Sequence, residues 1–456
     1  MDVLCFATRG VRPVAPRAAR KFSILILSTL IGCSWPGAKR LSSAPEQSVA
    51  ELARATEQIR DLDFKRRITL SDQLANSTVP EVAQIAQLSR VYQRIGLLAD
   101  SVDLVQAYSQ FSKWERAAFY DPRRDAIFIS PEAVNIGQAL AGAAARDASA
   151  VAAVIALTHA LQDQHFRWQE RIKGTTLADR KLAFKALADG DATTVALHFL
   201  KSSPTAWADH VQAIGRLTAE MERAGSSLPA MLREQLVFPY HDGTQFVQWA
   251  YAAKGWDGVN ALFADPPVSS AQVLHPEQYY LRRKAPVQIV PFGWFRQTKG
   301  NAMTEQTLGE LLIQVLLASS HSRNDAAVIA SSWTGDYLSA YLDSGNLIIA
   351  WLSAWNDEAG AQRFYRAFQT VLEHRHRLRF EAAARQQDGL QADLRAGRSV
   401  ILQVRGSVVL LLDGMTAARA LETSDAIWNE LEISTEPPSI PFETAKRPSH
   451  SSLMSR

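Results

Sequence analysis

The sequence predicts an α+β fold that is mainly helical and that ends in a C-terminal α/β portion. Apolar residues recur at helical spacing through most of residues 45–201. Two short strand-like stretches flank a Pro-containing turn at 121–124, and strand-like apolar runs return after residue 287. A chain of 456 residues, 47% hydrophobic and 21% charged, is long enough to form more than one packed core.

In the N-terminal part, helix signals precede a change to strand signals. Helices are predicted from Pro45 onward, from Pro80 to Leu97 and over Val102–Trp114. A β-hairpin is predicted over Arg116–Ser130, with Pro122 in its turn. Two long helices, roughly 145–170 and 177–201, are expected to follow, and residues 204–290 are predicted to be helical with loops.

Beyond residue 287 the pattern predicts strands alternating with helices. The predicted strands are Val287–Phe295, Asp336–Leu342, Leu347–Ser353, Val400–Val404 and Val408–Leu412. The Pro/Ser-rich residues 435–456 are expected to form a disordered tail. The predicted organisation is therefore a first domain over 45–290, a C-terminal portion over 291–434 and the tail.

The N-terminal end has the layout of an export signal. A basic cluster precedes the apolar run Phe22–Ile31, which is too short to span a bilayer as a helix. Leu30-Ile31-Gly32-Cys33 resembles the lipobox of bacterial lipoproteins, in which the signal is cut before an acylated cysteine. We expect a signal over 1–32, a tether over 33–44 and attachment to a lipid bilayer through acylated Cys33. The alternatives are a plain signal peptide or a buried N-terminal helix.

This export signal also accounts for the charge and the cysteines. Five basic residues and one acidic residue lie in the first 32 positions, so the remaining chain is near neutral although the whole carries +3. That balance gives no electrostatic basis for nucleic-acid binding. Both cysteines, Cys5 and Cys33, lie in the first 33 residues, so we expect no disulfide in the folded body.

Residues 151–170, VAAVIALTHALQDQHFRWQE, carry the main functional signal. They resemble the active-site helix of an uncharacterised bacterial lipoprotein family related to zinc metallopeptidases, where the run is similar to HELTHALQDQHF. In an HExxH motif two histidines on one helical face bind zinc, and the glutamate activates the attacking water. The resemblance implies a zincin-like fold, in which this helix lies beside a hairpin.

In this chain the motif is degenerate. The resemblance places Ile155 at the first histidine position, Ala156 at the glutamate position and His159 at the second histidine. A later run resembling EGDA places Asp189 at the third ligand. Because isoleucine and alanine neither coordinate metal nor move a proton, one ligand and the general base are lost. We therefore expect no catalytic residue and no cofactor.

Two readings of the remaining polar residues stay open. His159 is either a relic ligand or a helix histidine satisfied by a neighbour. Asp163 lies four residues from His159, and with Asp189 it would form a His/Asp/Asp site suited to manganese better than to zinc. Such a rebuilt site is the one case in which we expect zinc or manganese.

Further segments resemble the same family in the same order along roughly 85–430. Phe119-Tyr120-Asp121-Pro122 is similar to its GYYDP hairpin, and Pro239-Tyr240-His241-Asp242-Gly243 to its PYxxGxxFV run. Tyr120, Tyr240 and His275 are expected to pack or to line a peptide-binding cleft.

The predicted function is that of a membrane-anchored pseudopeptidase of the bacterial cell envelope, in the outer membrane if the host is Gram-negative. It would bind a peptide or a protein partner. The alternatives are an active metal-dependent hydrolase that uses His159, Asp189 and Asp163, and a subunit or inhibitor of an active relative.

Overall fold

The computed structural model describes residues 46–72, 82–142, 148–173, 178–200, 207–282, 284–289, 302–382, 389–394 and 397–434. The predicted signal peptide, the tether with Cys33 and the predicted tail lie outside these described residues. Within them the chain is mixed α+β and mainly helical, as predicted. Among the described helices, none combines the length and apolar character required to cross a bilayer.

The N-terminal part consists of helices and one small sheet. Its helices are α1 (Glu46–Arg60), α2 (Val82–Ile95), α3 (Leu104–Glu115), α4 (Pro131–Ala141), α5 (Ala148–Phe166), α6 (Trp168–Lys173), α7 (Ala178–Leu200), α8 (Trp207–Ala224), α9 (Ala230–Ala264), α10 (Ser270–Leu274) and α11 (Pro276–Tyr280). Strands β1 (Thr69–Leu70), β2 (Ala118–Asp121) and β3 (Ala126–Ile129) lie in the order β1-β3-β2. The three predicted helices before residue 116 and the β2–β3 hairpin are confirmed.

Helices α5 and α7 lie at the centre of this part. Every residue of α5 from Val151 to Gln164 is buried, and so are most residues of α7. A helix buried on all sides packs against several neighbours at once, which small side chains permit. A Cβ on Gly190 of α7 would lie 2.3 Å from the carbonyl oxygen of Gly243 on α9, so these two backbones are in direct contact.

The single helix predicted over 145–170 is wrong in one respect, because α5 and α6 are separate helices. Arg167 between them has a left-handed backbone with φ of 52°. The Asp163 side chain accepts a hydrogen bond from the backbone N–H of Gln169 at 3.1 Å. A short acidic side chain that bonds nearby backbone groups competes with helix continuation, which explains the break.

The sequence pattern did not predict where helix α9 begins and ends. It runs through Pro239 and has non-helical backbone angles at Lys254 and Gly255, where the helix kinks. Gly255 has a φ of 59°, which glycine adopts at little cost. The face of α9 between Tyr240 and this kink borders both α7 and α8.

The C-terminal part combines a large sheet with flanking helices. Its elements are β4 (Gln288–Ile289), β5 (Ala302–Gln306), α12 (Gly309–Ala318), α13 (Arg323–Ala330), β6 (Trp333–Asp343), β7 (Asn346–Trp355), α14 (Glu358–His376), β8 (Glu381–Ala382), β9 (Gly389–Leu394), β10 (Arg398–Arg405), β11 (Val408–Met415), α15 (Ala417–Glu430) and β12 (Ile433–Ser434). The predicted strands within 336–353 and 400–412 are confirmed. Of the strand predicted over Val287–Phe295, only residues up to 289 are described.

The prediction of an α/β portion is wrong in the strict sense of the term. Seven strands form one sheet in the order β5-β6-β7-β11-β10-β9-β8, and every neighbouring pair is antiparallel. Tight turns explain two of these pairs, β6–β7 and β10–β11. Ser344 and Gly345 both have positive φ between β6 and β7, and Gly406 has positive φ between β10 and β11. Such tight turns reverse the chain and produce hairpins rather than parallel crossovers.

One hydrophobic core continues from the helical part into one face of the large sheet. Polar contacts reinforce this junction, because Arg94 on α2 pairs with the buried Asp413 on β11 at 2.6 Å. The Tyr92 hydroxyl donates to the Gln306 side chain on β5 at 3.0 Å. The predicted boundary near residue 290 therefore separates two types of secondary structure, not two hydrophobic cores.

Candidate functional site

Ile155 and Ala156 both lie in apolar surroundings on α5. Ile155 is 2% exposed and belongs to the large core that the helices share with the sheet. Ala156 is fully buried among residues that include Tyr120 and Ile127 of the hairpin. These two side chains complete the packing on either side of the helix. They bring no group that could bind a metal or accept a proton.

His159 lies one turn further along α5 and faces α7. Its Nε2 atom is 3.5 Å from Oδ1 of Asp189, and its Nδ1 atom is 3.0 Å from Oε1 of Gln162. The indole of Trp168 packs beside the imidazole and donates to the His159 backbone carbonyl. Burial lowers the pKa of His159, although the nearby charge of Asp189 opposes that shift. The structure thus brings together His159 and Asp189.

Asp189 is held by a lysine on its own helix. Nζ of Lys185, one turn earlier on α7, lies 2.7 Å from Oδ2 of Asp189. Burial disfavours the ammonium, but the carboxylates of Asp189 and Glu115 outweigh that effect and raise the pKa of Lys185. Lys185 therefore supplies the positive charge that faces the carboxylate of Asp189.

Two further groups surround this ion pair. Burial raises the pKa of Glu115 at the end of α3, while the charge of Lys185 opposes the rise. Burial also raises the pKa of Tyr240 on α9 well above its usual range, and the charges of Asp189 and Glu115 add to the effect. We call Glu115, His159, Lys185, Asp189 and Tyr240 the buried charge cluster; His159, Asp189 and Tyr240 are buried, and Glu115 and Lys185 are partly buried.

A second ion pair is connected to this cluster through Gln162. Arg60 of α1 and Asp191 of α7 are both fully buried and 3.0 Å apart. Gln162 links the two layers, because its amide donates to Oδ2 of Asp191 at 3.0 Å while its carbonyl oxygen contacts His159. Asp189 and Asp191 therefore both pair with cations inside the continuous helix α7.

The other predicted site residues lie in different environments. Asp163 bonds to the start of α6, as described above. Tyr120 is fully buried, and its hydroxyl donates to Asp125 at 2.5 Å. His275 contacts Glu310 at 2.8 Å, a hydrogen bond that raises its pKa. Tyr240 alone of the three predicted cleft residues lies in the buried charge cluster.

The edge strand of the hairpin beside α5 already accepts a hydrogen bond from another part of the chain. Strand β2 lies at the edge of its sheet, where a zincin-like fold would receive an extended peptide. The Gln169 amide donates to the backbone carbonyl of Tyr120 in this strand at 2.9 Å. One of the main-chain acceptors on β2 is therefore bonded to α6.

The donor set does not fit a catalytic zinc ion. Such a site needs about three protein ligands and an open position. Across the described ranges, no group of three His, Cys, Asp or Glu side chains is arranged to hold a metal ion. At Asp189, the predicted position of the third ligand, the ammonium of Lys185 bonds to the carboxylate that a metal would require.

The residues that complete the cluster were not found from the sequence. Lys185 stands four positions before Asp189 on a predicted helix, and that spacing was a readable signal for an ion pair. Glu115 and Arg60 lie 70 or more positions from their partners in sequence, and no local pattern connects them.

Comparison with known proteins adds one match. The model of a domain of unknown function (DUF8575) matches residues 296–424, which include the large sheet and exclude the buried charge cluster. No curated protein and no solved structure matches the chain.

Proposed function

We propose that this chain is a pseudopeptidase, a metallopeptidase-like protein that binds a peptide or protein partner without cleaving it. In this proposal the fold descends from the family of bacterial lipoproteins related to HExxH zinc peptidases. The chain is exported and held at the bacterial cell envelope through acylated Cys33. We also propose that the fold is zincin-like, with α5 beside the β2–β3 hairpin.

The observation that carries the proposal is the ion pair between Lys185 and Asp189. An ammonium 2.7 Å from a carboxylate takes the place of a metal as the counter-charge of that carboxylate. A zinc ion at the same position would have to displace the ammonium and would be repelled by it. The cluster therefore satisfies its own charges.

Two of the residues that zinc-dependent hydrolysis requires are also absent from the predicted motif positions. Zinc peptidases use a glutamate beside the first histidine to activate water. Here Ile155 and Ala156 occupy those positions and pack into two apolar clusters. Glu115 lies near Lys185, but it approaches from α3 and pairs electrostatically with that lysine. These features support a structural role for the cluster.

The test is the metal content and activity of the chain from Ser34 onward, purified without a His tag. After loading with zinc or manganese, elemental analysis is expected to find far less than one metal per chain. Casein and peptide libraries are expected to remain uncleaved with or without EDTA. One metal per chain that is lost in both His159→Ala and Asp189→Ala, with EDTA-sensitive cleavage, would replace this proposal with the hydrolase that uses His159, Asp189 and Asp163.

A reconstruction sharpens the test. The combined substitutions Ile155→His, Ala156→Glu and Asp189→Glu restore the ligand types of the family motif, and Lys185→Ala removes the competing cation. We expect zinc binding with all four changes and much weaker binding when Lys185 is retained. Lys181→Ala, at an exposed position of α7, replaces Lys185→Ala in the matched control.

A further inference from the structure

A basic pocket lies where α2 and the end of α14 meet one end of the large sheet. Its volume is 820 Å³, a size at which pockets commonly hold small ligands. Five arginines line it, namely Arg90, Arg94, Arg375, Arg377 and Arg398. They come from α2, from the end of α14 and from the start of β10, so the pocket forms when these elements pack together. We call it the arginine pocket.

Two of the five arginines are paired with carboxylates. Arg94 holds the buried Asp413 with two hydrogen bonds, from Nε at 2.7 Å and from Nη2 at 2.6 Å. The guanidinium of Arg375 bonds to the exposed carboxylate of Asp100 and to the backbone carbonyl of Gln93. These bonds fix both guanidinium groups in place. An anion that binds them therefore has little side-chain freedom left to remove.

The other three arginines have no carboxylate partner among the described residues. Arg90 and Arg377 are exposed, and Arg398 donates from Nη1 to the backbone carbonyl of Gly414 at 2.7 Å. Against them, the lining contains one carboxylate, Asp393, that is outside these ion pairs. Two positive charges therefore remain in excess. Like charges gathered in one pocket repel each other, and a bound anion relieves that repulsion.

The donors that an anion requires can be reached by a ligand. Within the described part of the chain, Nη1 of Arg94 and both Nε and Nη2 of Arg398 take part in no hydrogen bond. None of the three is among the polar atoms that are shut off from solvent. A guanidinium group binds two oxygens of a phosphate through parallel N–H bonds. These accessible donors therefore suit a phosphate group, whose two negative charges match the excess.

The uncharged part of the lining indicates what the phosphate is attached to. The side-chain carbonyl oxygens of Gln93 and Asn346 accept no hydrogen bond from the described residues and are open to solvent. The carboxylate of Asp393 is exposed as well. Such oxygens accept hydrogen bonds from hydroxyl groups, which a hydrocarbon chain lacks. The apolar side chains of the lining are those of Leu347, Leu378 and Leu394.

We propose that the arginine pocket binds a phosphorylated sugar or a similar phosphorylated polyol. The phosphate bonds the free donors of Arg94 and Arg398, and the exposed charges of Arg90 and Arg377 add long-range attraction. A phosphate alone is much smaller than 820 Å³, and the hydroxyl-bearing part occupies the rest. This site goes beyond the proposed pseudopeptidase function and shares no residue with the buried charge cluster.

The test is isothermal titration calorimetry of the purified full chain with glucose 6-phosphate, ribose 5-phosphate and glycerol 3-phosphate. We expect one ligand bound per chain for at least one of them. Inorganic phosphate should bind about tenfold more weakly or worse, because it lacks the hydroxyl-bearing part. Glucose should show no binding. Raising the NaCl concentration from about 50 mM to about 300 mM should weaken binding, since salt screens the attraction.

A competition measurement identifies the source of the ligand. Phosphatidylcholine vesicles with or without phosphatidylinositol 4-phosphate, whose headgroup is a phosphorylated polyol, are added to the chain with its bound sugar phosphate. Displacement by the vesicles that contain this lipid, and not by the others, would assign the pocket to a lipid headgroup. Retention of the sugar phosphate would assign it to a soluble compound. Either outcome supports a phosphorylated polyol.

The two exposed arginines give variants that should keep the fold. Arg377 has a left-handed backbone with φ of 54°, which asparagine adopts more readily than most residues. Arg377→Asn and Arg90→Gln remove two charges and no side-chain hydrogen bond of the described residues. The double variant should therefore bind the sugar phosphate about tenfold more weakly. Arg366→Gln, at an exposed position of α14 outside the pocket, is the matched control and should leave binding unchanged.

A further variant tests the geometry of the phosphate contact. Arg398→Lys keeps the positive charge and a donor for the carbonyl of Gly414, but it loses the planar pair of N–H groups. We expect binding about tenfold weaker than that of the wild type. The midpoint of urea unfolding should stay close to the wild-type value, which shows that the fold is retained.

Three results would overturn the inference. They are no saturable binding of any of the three phosphorylated compounds, equal affinity for inorganic phosphate, and unchanged binding in the Arg90→Gln, Arg377→Asn double variant. A metal found at the buried charge cluster would contradict the proposed function and leave these measurements unchanged. The two failures are therefore distinguishable.

Discussion

Asp189 in the helical part and Asp336 in the sheet part are both buried carboxylates, but they are stabilised in different ways. Asp189 pairs with the ammonium of Lys185 and contacts His159. Asp336 accepts four hydrogen bonds from neutral donors, namely the backbone N–H groups of Leu308 and Gly309 and the indoles of Trp333 and Trp351, at 2.9 to 3.0 Å.

This difference shows why a buried acid does not by itself mark a catalytic site. Around Asp336 the donors come from the start of α12 and from neighbouring strands, so the carboxylate joins a helix to the sheet. Around Asp189 the partners are titratable groups, which is the arrangement from which active sites are built. In this chain Lys185 pairs with Asp189, so the charge of the carboxylate is already balanced within the protein.

The largest effect is expected at Asp336. Asp336→Ala leaves two backbone and two indole N–H donors without their acceptor, and we expect a loss of about 4 kcal/mol in the free energy of unfolding. Urea denaturation at pH 7 measures it. Asp343→Ala, at the end of the same strand β6, is the control and should have a small effect. Equal losses in the two variants would mean that the four donors find other partners.

A smaller loss is expected when the ion pair of the charge cluster is broken. Lys185→Met leaves the carboxylate of Asp189 buried without its cation, at a cost of about 2–3 kcal/mol. The double variant with Asp189→Leu should recover part of this loss, because both charges are then removed together. Lys181→Met, at an exposed position on the same helix, should change stability little.

Strict additivity of Lys185→Met and Asp189→Leu would contradict this coupling. A double-mutant cycle measures it directly, since the coupling is the difference between the double variant and the sum of the single variants. Coupling well above 0.5 kcal/mol is expected for residues in contact.

A pH-dependent effect is expected at Asp179, which adjoins the Asp336 region. Burial raises the pKa of Asp179 to about 8, and the charges of Asp336 and Glu310 add to the rise against hydrogen bonds from Ser270. Because the folded pKa lies above the unfolded one, the folded state binds more protons. Stability is therefore full below about pH 4 and is lost as the pH rises toward 8.

Asp179→Asn should remove this dependence, since an amide does not ionise. Between pH 6.5 and pH 8.5 the wild type is expected to lose about 2 kcal/mol more than the variant. Chemical denaturation at both pH values tests this difference. The exposed substitution Asp257→Asn serves as the control, and parallel pH profiles of Asp179→Asn and wild type would refute the raised pKa.

The parts of the fold that were predictable from sequence are those with a local signal. The hairpin was predictable because Pro122 lies in the turn between two strand-like stretches. Strand β9, GLQADL, was missed because polar residues interrupt its apolar pattern. The extent of α9 was hidden because Pro239 lies inside the helix and apolar residues occur on all its faces.

The site residues also divide into those that have a signal in the sequence and those that have none. The resemblance of residues 155–164 and 188–192 to a family motif located Ile155, Ala156, His159 and Asp189, and the last two lie side by side in the structure. Local spacing could have indicated Lys185. The positions of Glu115 and Arg60 in the site depend on how distant helices pack, and no pattern within one helix reveals that packing.

The smallest effect is expected at His159, whose response to pH is opposite to that of Asp179. Burial lowers the pKa of His159, with Asp189 and Asp191 opposing and Lys185 assisting the shift. The unfolded chain then binds a proton that the folded chain does not. The corresponding stability is present above about pH 6.5 and is lost as the pH falls below it.

His159→Gln should remove this acid sensitivity, because glutamine keeps a polar amide near Gln162 and Asp189 but does not titrate. Between pH 7.5 and pH 5.5 the wild type is expected to lose up to about 1 kcal/mol more than the variant. His165→Gln, on the exposed end of the same helix, is the control. If His159→Gln and wild type lose stability in parallel, His159 takes up a proton in the folded state as readily as in the unfolded state. The cluster then contains a second cation beside Lys185.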